Sequence, residues 1–200
     1  MKNLAAMISF ALLLSFSILQ PAPSKAAEQE RNPVIFIHGA GGIGASFKLV
    51  ENQLVKKGWN PDELYAIEMA DKTGNNLTNG KQLERFVDKV KKETGKSKVD
   101  IIGHSAGGMN ALYYTTKLGG AENVEDIVTL GAPNRFVGST APESIRYTSI
   151  YSTSDYIVRP QLAKLDGAKN IELRGVNHFA YLYNSDVQKL IEEGLNGGGE

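Results

Sequence analysis

Val99-Asp100-Ile101-Ile102-Gly103-His104-Ser105-Ala106-Gly107-Gly108 is the stretch on which the reading of this chain turns. Residues 99–102 make a short, mostly apolar run of the kind that builds a buried strand, and Met109 to Leu118 reads as a helix. Between them stands Gly-x-Ser-x-Gly, from Gly103 to Gly107. In a chain with 21 glycines the bare pattern is a weak signal. Its place between a strand and a helix is a stronger one. A serine hydroxyl is a poor nucleophile unless it projects beside a general base. A strand-to-helix turn holds it out, leaves no room for side chains at Gly103 and Gly107, and frees backbone N–H groups that can hold an oxyanion. Ser105 is the candidate nucleophile; the competing reading is a glycine-rich turn with an incidental serine.

Working outward, strand-like runs alternate with helix-like segments. Val34 to Ile37 ends at His38-Gly39, and Phe47, Leu49, Val50, Leu54 and Val55 then recur at helical spacing up to Gly58. Leu64 to Ala70 is a second strand candidate. Leu83, Phe86, Val87 and Val90 mark a helix that ends near Gly95. Ile127 to Leu130, Tyr147 to Tyr151 and Ile171 to Leu173 are further strand candidates, followed by a helix over Asp186 to Glu193. Alternation of this kind predicts an α/β fold with a mostly parallel sheet flanked by helices. Such sheets carry ligands at the carboxyl ends of their strands. The longest stretch without clear pattern, Gly131 to Arg146, is too short for a second domain or a large lid. The glycine-rich end, Gly197 to Gly199, is expected to fray.

Composition narrows the field. The chain has 200 residues, 42% apolar and 22% charged, with 22 basic and 22 acidic side chains. It carries no general positive charge with which to hold nucleic acid. It has no cysteine, which excludes a disulfide scaffold, a thiol nucleophile and cysteine-based metal sites. No histidine or carboxylate cluster compels a metal. Lys2, the apolar run Leu4 to Leu19, and small residues at Ser24 and Ala26 read as a secretory signal peptide over residues 1–26, cut after Ala26. The expected organisation is that leader and a single catalytic domain over residues 27–200, exported from the cell.

The base and its partner follow from position. Of the three histidines, His104 lies inside the tight turn and His38 belongs to the glycine-rich loop after the first strand. His178 follows the last strand candidate and is the candidate base. In this architecture the acid stands between serine and histidine in the chain. Asp126 precedes its strand, at the wrong end of the sheet, and Asp166 reads as a turn. Asp155 follows the Tyr147–Tyr151 run and is the candidate acid. The order His38–Asp71–Ser105 is the alternative, but it belongs to a barrel that the alternation does not support. His38-Gly39-Ala40-Gly41-Gly42 lets the backbone approach a substrate. It nominates the N–H groups of Ala40 and Ala106 as oxyanion donors. The same glycines formally satisfy a dinucleotide-binding spacing, but no acidic residue stands at the end of a second strand ~20 residues on.

Taken together, these segments resemble the small secreted α/β-hydrolase lipases of the Bacillus lipase A type. The likeness runs from about Asn32 to Gly199. It is carried by Asn32-Pro33-Val34, His38-Gly39-Ala40-Gly41-Gly42, Gly58-Trp59, Asp71-Lys72-Thr73-Gly74, Thr129-Leu130-Gly131, Tyr147-Thr148-Ser149-Ile150-Tyr151-Ser152, Leu165-Asp166-Gly167-Ala168 and Glu193-Gly194-Leu195-Asn196 with the glycines after it. The resemblance implies a minimal, lidless, single-domain α/β-hydrolase, free of cofactors, that cleaves triacylglycerols and simpler acyl esters. By motif it places the triad on Ser105, Asp155 and His178 and the hole on Ala40 and Ala106. The expected partners are a lipid or small-ester substrate and transient contact with a lipid–water interface, with the chain a monomer. The sequence departs from the family in Gly103, where close members carry alanine, and in the small residues at Ala40 and Ala106. Ile43, Phe47, Phe136, Val137, Ile157 and Phe179 are candidates for an acyl groove and equally for the core. Amidase, transacylase or perhydrolase chemistry, or a non-catalytic binding role on the same fold, are the alternatives.

Overall fold

Val34, Ile35, Phe36 and Ile37 are all fully buried, which a strand reaches only when both faces of its sheet are covered. The structure, a computed structural model, describes residues 31–196. The expected leader over residues 1–26 and the terminal glycines lie outside the described residues. One sheet contains β1 (Val34–Ile37), β2 (Leu64–Ile67), β3 (Val99–His104), β4 (Val124–Leu130), β5 (Arg146–Ser152) and β6 (Lys169–Leu173). Their order is β2-β1-β3-β4-β5-β6 and every pairing is parallel. The helices are α1 (Lys48–Lys56), α2 (Asn76–Thr94), α3 (Ala106–Lys117), the single turn α4 (Pro160–Ala163) and α5 (Ser185–Leu195).

Alternation along the strands divides the core in two. Ile35, Ile37 and Ile101 point to one face, where they meet Leu83, Val87 and Val90 of α2 and Ala111 and Leu112 of α3. Val34, Phe36 and Ile102 point to the other, against Val50 and Leu54 of α1 and Val187, Ile191 and Leu195 of α5. This is the expected helix-flanked parallel sheet. Among the described residues no lid-sized insertion interrupts it; between β4 and β5 the chain makes a 3-10 turn, Asn134–Phe136, and a single parallel bridge from Thr140 to Asp166.

Several boundaries differ from the sequence reading, each for a local reason. Helix α2 starts well before Leu83, because Asn75 caps it by accepting from the N–H groups of Leu77 and Thr78. Strand β2 ends at Ile67 rather than Ala70, since the next N–H groups turn to side chains: Met69 donates to His38 Nε2 and Ala70 to Gln82 Oε1. Asp126 does not precede its strand; it lies within β4, near the amino end, where it holds Arg146 through two hydrogen bonds of 2.7 and 2.9 Å. It still sits far along the sheet from the ends that carry Ser105.

At that amino end a second carboxylate, Asp100, is almost fully buried. Its Oδ1 accepts from Asn32 Nδ2 and from the Asp126 N–H, both at 3.1 Å. Burial, and then the charge of Asp126, push its pKa up to about 7. The folded chain therefore holds this proton more tightly than an unfolded chain, whose aspartates release theirs near 3.8. Between those two values the native state binds more protons, so unfolding free energy falls as pH rises. The urea midpoint is expected to decline from about pH 4 to about pH 7, and Asp100→Asn to flatten that decline. A variant whose pH dependence parallels that of the wild type would refute the assignment.

Candidate active site

Strand order places the site. Chain leaving β1 crosses to β2 on one side, and chain leaving α2 returns to β3 on the other. The carboxyl ends of β1 and β3 thus flank the point where the winding reverses, the place where open α/β sheets bind ligands. At the end of β3 the backbone turns directly into α3 through Ser105, with φ 53° and ψ −125°. Among the described residues it is the one non-glycine residue with positive φ. Such a conformation costs about 1–3 kcal/mol and persists only where its surroundings enforce it. Here the Ser105 N–H donates to the Leu130 carbonyl at 2.9 Å, and the Ser105 carbonyl accepts from the Gly108 N–H at 3.1 Å. The flanking glycines are required by space. A Cβ on Gly103 would lie 2.5 Å from Gly108 Cα, and one on Gly107 would lie 2.2 Å from the Ile37 carbonyl oxygen.

The structure brings Ser105, His178 and Asp155 into one line. The Ser105 hydroxyl lies 3.0 Å from His178 Nε2, and His178 Nδ1 lies 2.8 Å from Asp155 Oδ2. A carboxylate can only accept, so Nδ1 carries the imidazole proton and Nε2 is left to accept from the hydroxyl. The other oxygen of Asp155 takes the N–H groups of Ile157 and Val158, both at 2.9 Å, which fixes the carboxylate in the loop after β5. Asp155 is 1% and His178 6% exposed, so the line is shielded from water along most of its length. The arrangement can draw the proton from Ser105 Oγ as that oxygen attacks. The alternative pair does not converge on the serine. His38 Nδ1 donates to the Gly39 carbonyl at 2.8 Å and its Nε2 accepts from the Met69 N–H, while Asp71 Oδ1 accepts from the N–H and hydroxyl of Thr73.

Beside the serine, the N–H groups of Ala40 and Ala106 donate to no protein atom among the described residues. The loop that carries Ala40 is braced from the chain after β2. Gly41 N–H donates to the Lys72 carbonyl at 2.7 Å, and Lys72 Nζ reaches the Gly42 carbonyl and Glu68. Glu68 also accepts from the Gly44 N–H; the Lys72 hydrogen bond, then that one, hold its carboxyl below the usual range. Residues 71–76 are tied in turn to α2 and α3 by two buried asparagines. Asn79 Nδ2 donates to the Asp71 carbonyl and to Asn110 Oδ1, and Asn110 Nδ2 donates to the Gly74 carbonyl and to Asn76 Oδ1. Gly74 is thereby pressed onto Ala106; a Cβ on Gly74 would lie 2.6 Å from that of Ala106. The sequence reading missed this brace. Its one visible signal was Asn79 standing four residues before Leu83 on the buried stripe of α2, where an apolar residue would be ordinary.

The candidate groove residues separate cleanly. Ile43, Phe136, Ile157 and Phe179 are exposed, Phe47 is fully buried in the cluster with Val34 and Phe36, and Val137 packs against the cluster on the opposite face. Among the described residues no group of three or more histidines and carboxylates is placed to hold a metal ion.

The sequence profile of the family described as lipase (class 2) matches residues 31–136, more than half of the chain. The chain belongs to the class 2 lipases. The match includes Ala40, Ser105 and Ala106 and ends before Asp155 and His178. Two curated relatives, triacylglycerol lipases of Pseudarthrobacter phenanthrenivorans and Burkholderia plantarii, are each 29% identical over 113 residues, 52% of this chain. That aligned stretch is 34% and 30% of their own lengths, so the chain spans about a third of the length of the curated relatives it matches. Among solved structures, the mature form of a Bacillus licheniformis lipase covers 88% of this chain and 94% of its own, with TM-score 0.70 and 16% identity. An α/β hydrolase from the sediment metagenome of the Mar Chica lagoon covers 82% of this chain and 90% of its own, with TM-score 0.64 and 18% identity. At those identities the likeness is one of fold.

Asn110→Leu removes three hydrogen bonds and leaves the Gly74 carbonyl buried without its donor. Each such orphan costs about 1–3 kcal/mol, so the urea midpoint is expected to fall by a corresponding amount. Unchanged stability would show that the asparagine pair does not hold the loop.

Proposed function

We propose that this chain hydrolyses carboxylic esters through an acyl-enzyme formed on Ser105. The observation that carries the reading is the unbroken line from hydroxyl to imidazole to carboxylate, 3.0 and 2.8 Å per step, at the carboxyl ends of three strands. Ser105 Oγ attacks the ester carbonyl carbon as His178 Nε2 takes its proton. The developing oxyanion is held by the N–H groups of Ala40 and Ala106, whose lack of protein partners supports that role. Asp155 keeps the imidazole in the tautomer that accepts and balances its charge once it is protonated. His178 then gives the proton to the departing alcohol. A water molecule, deprotonated by the same ring, attacks the acyl carbonyl; the acid is released and the proton returns to Ser105.

Triacylglycerols and simpler acyl esters are the proposed substrates. The matched relatives are triacylglycerol lipases, and of the exposed apolar side chains Ile43, Ile157 and Phe179 lie in the loops that carry Ala40, Asp155 and His178, while Phe136 lies in the loop after β4. The leader-like run over Leu4 to Leu19 supports work outside the cell. The test is a chain-length series of p-nitrophenyl esters, triglycerides and matched amides, run on the wild type and on Ser105→Ala. Ester turnover is expected, with kcat in Ser105→Ala lower by roughly 10⁴-fold or more. An organophosphonate should label Ser105 in stoichiometric amount. A Ser105→Ala variant that keeps the wild-type ester rate would overturn the mechanism, and amide turnover exceeding ester turnover would overturn the substrate class.

A further inference from the structure

We propose that His104, the residue before the nucleophile, is a positioning residue. Its ring ties the strand-to-helix turn to the loop that carries the base, and so sets the reach of His178 to Ser105. The inference rests on the proposed hydrolase chemistry and concerns a side chain that takes no part in the proton line.

The geometry is direct. His104 Nε2 donates to the backbone carbonyl of His178 at 2.8 Å, and the two rings lie 4.8 Å apart between centroids. His104 is 5% exposed, so its donor has no competing water. On its other side the ring meets the oxyanion loop: a Cβ on Gly39 would lie 3.2 Å from His104 Nδ1 and 2.9 Å from Ser105 Cβ. One imidazole therefore touches the turn, the oxyanion loop and the base loop. Together the two hydrogen bonds close a small ring. It runs from Ser105 Oγ to His178 Nε2, through that residue to its carbonyl, across to His104 Nε2, and back along the chain to Ser105. Residues 73 and 74 positions apart are thus held by two contacts at one point.

Other bonds of the base loop do not serve this purpose. Asn177 accepts from the N–H groups of Phe179 and Ala180, which shapes the turn internally. Gly175 N–H donates to Ser154 Oγ, and His178 Nδ1 to Asp155, which tie the loop to the chain after β5. Among the described residues, the His104 bond is the one that joins the backbone of this loop to the β3–α3 turn. Charge supports the assignment. Burial pushes the pKa of His104 down to about 4, against the upward pull of its hydrogen bond to the His178 carbonyl. The ring stays neutral while His178 carries the proton during turnover, so no second imidazolium forms beside it.

The experiment compares His104→Phe, His104→Asn and His104→Gln in the full chain, with p-nitrophenyl butyrate as substrate and circular dichroism and urea midpoints as controls. Phenylalanine keeps a ring without the donor. Glutamine carries an N–H out to about the reach of Nε2, and asparagine stops short of it. His104→Phe and His104→Asn are expected to lose about 10–100-fold in kcat with KM within about twofold, and His104→Gln to return to within about fivefold of the wild type, because a misplacement of ~1 Å costs on the order of 10²-fold. Wild-type kcat in His104→Phe, or equal losses in His104→Asn and His104→Gln, would overturn the proposal. If His104→Phe does not fold, the asparagine–glutamine pair decides it. Ser105→Ala, assayed alongside, separates the two claims. Retained activity there removes the hydrolase reading, while its loss together with an unimpaired His104→Phe removes only the role of His104.

Discussion

The Ile37 carbonyl oxygen stands 2.2 Å from where a side chain on Gly107 would begin, and the rest of the site depends on that contact. It means that α3 starts with its backbone against the end of β1. Nothing larger than glycine permits this, and without it the turn at Ser105 could not be so abrupt. The same contact brings the loop after β1 beside the first turn of α3. One backbone N–H from each, that of Ala40 and that of Ala106, is left without a protein acceptor among the described residues. A strained φ of 53° at Ser105 is the local cost, and the Leu130 and Gly108 hydrogen bonds hold it in place.

Rigidity at the site comes from polar groups that are fully used. Asp155 divides its oxygens between its own loop and the imidazole. Asn79 and Asn110 spend their amides on each other and on the backbone of residues 71–76. Lys72 and Glu68 bind the loop after β1 from outside. Buried networks of this kind stabilise only when every member is satisfied, and they then fix one geometry more sharply than apolar packing does. The apolar core supplies the platform: two large clusters, one on each face, and a small one of Tyr151, Val158 and Ala163 beside the loop of Asp155.

The two ends of the sheet carry different chemistry. At the carboxyl ends the buried polar groups converge on a hydroxyl. At the amino ends Asp100, Asp126, Glu125, Lys98 and Arg146 form an ionic group that links β3, β4 and β5.

Much of this was legible in the chain. The continuous apolar runs of the strands, the glycines around Ser105 and the positions of Asp155 and His178 after strand runs are local facts, because strands, turns and strand ends are specified by neighbouring residues. The helix start at Asn76 and the early end of β2 were not, since a cap and two side-chain acceptors set them. Asn79 and Asn110 lie 31 positions apart and look like interruptions of amphipathic helices until the fold pairs them. His104 reads as a bystander beside its serine. Its bond to a carbonyl 74 positions away exists only because β3 and the loop after β6 end on the same edge. Sequence determined which residues could do chemistry and on which side of the sheet they emerge. Tertiary structure alone decided the distances between them, because those depend on how separate strands register and on which long-range hydrogen bonds close when they do.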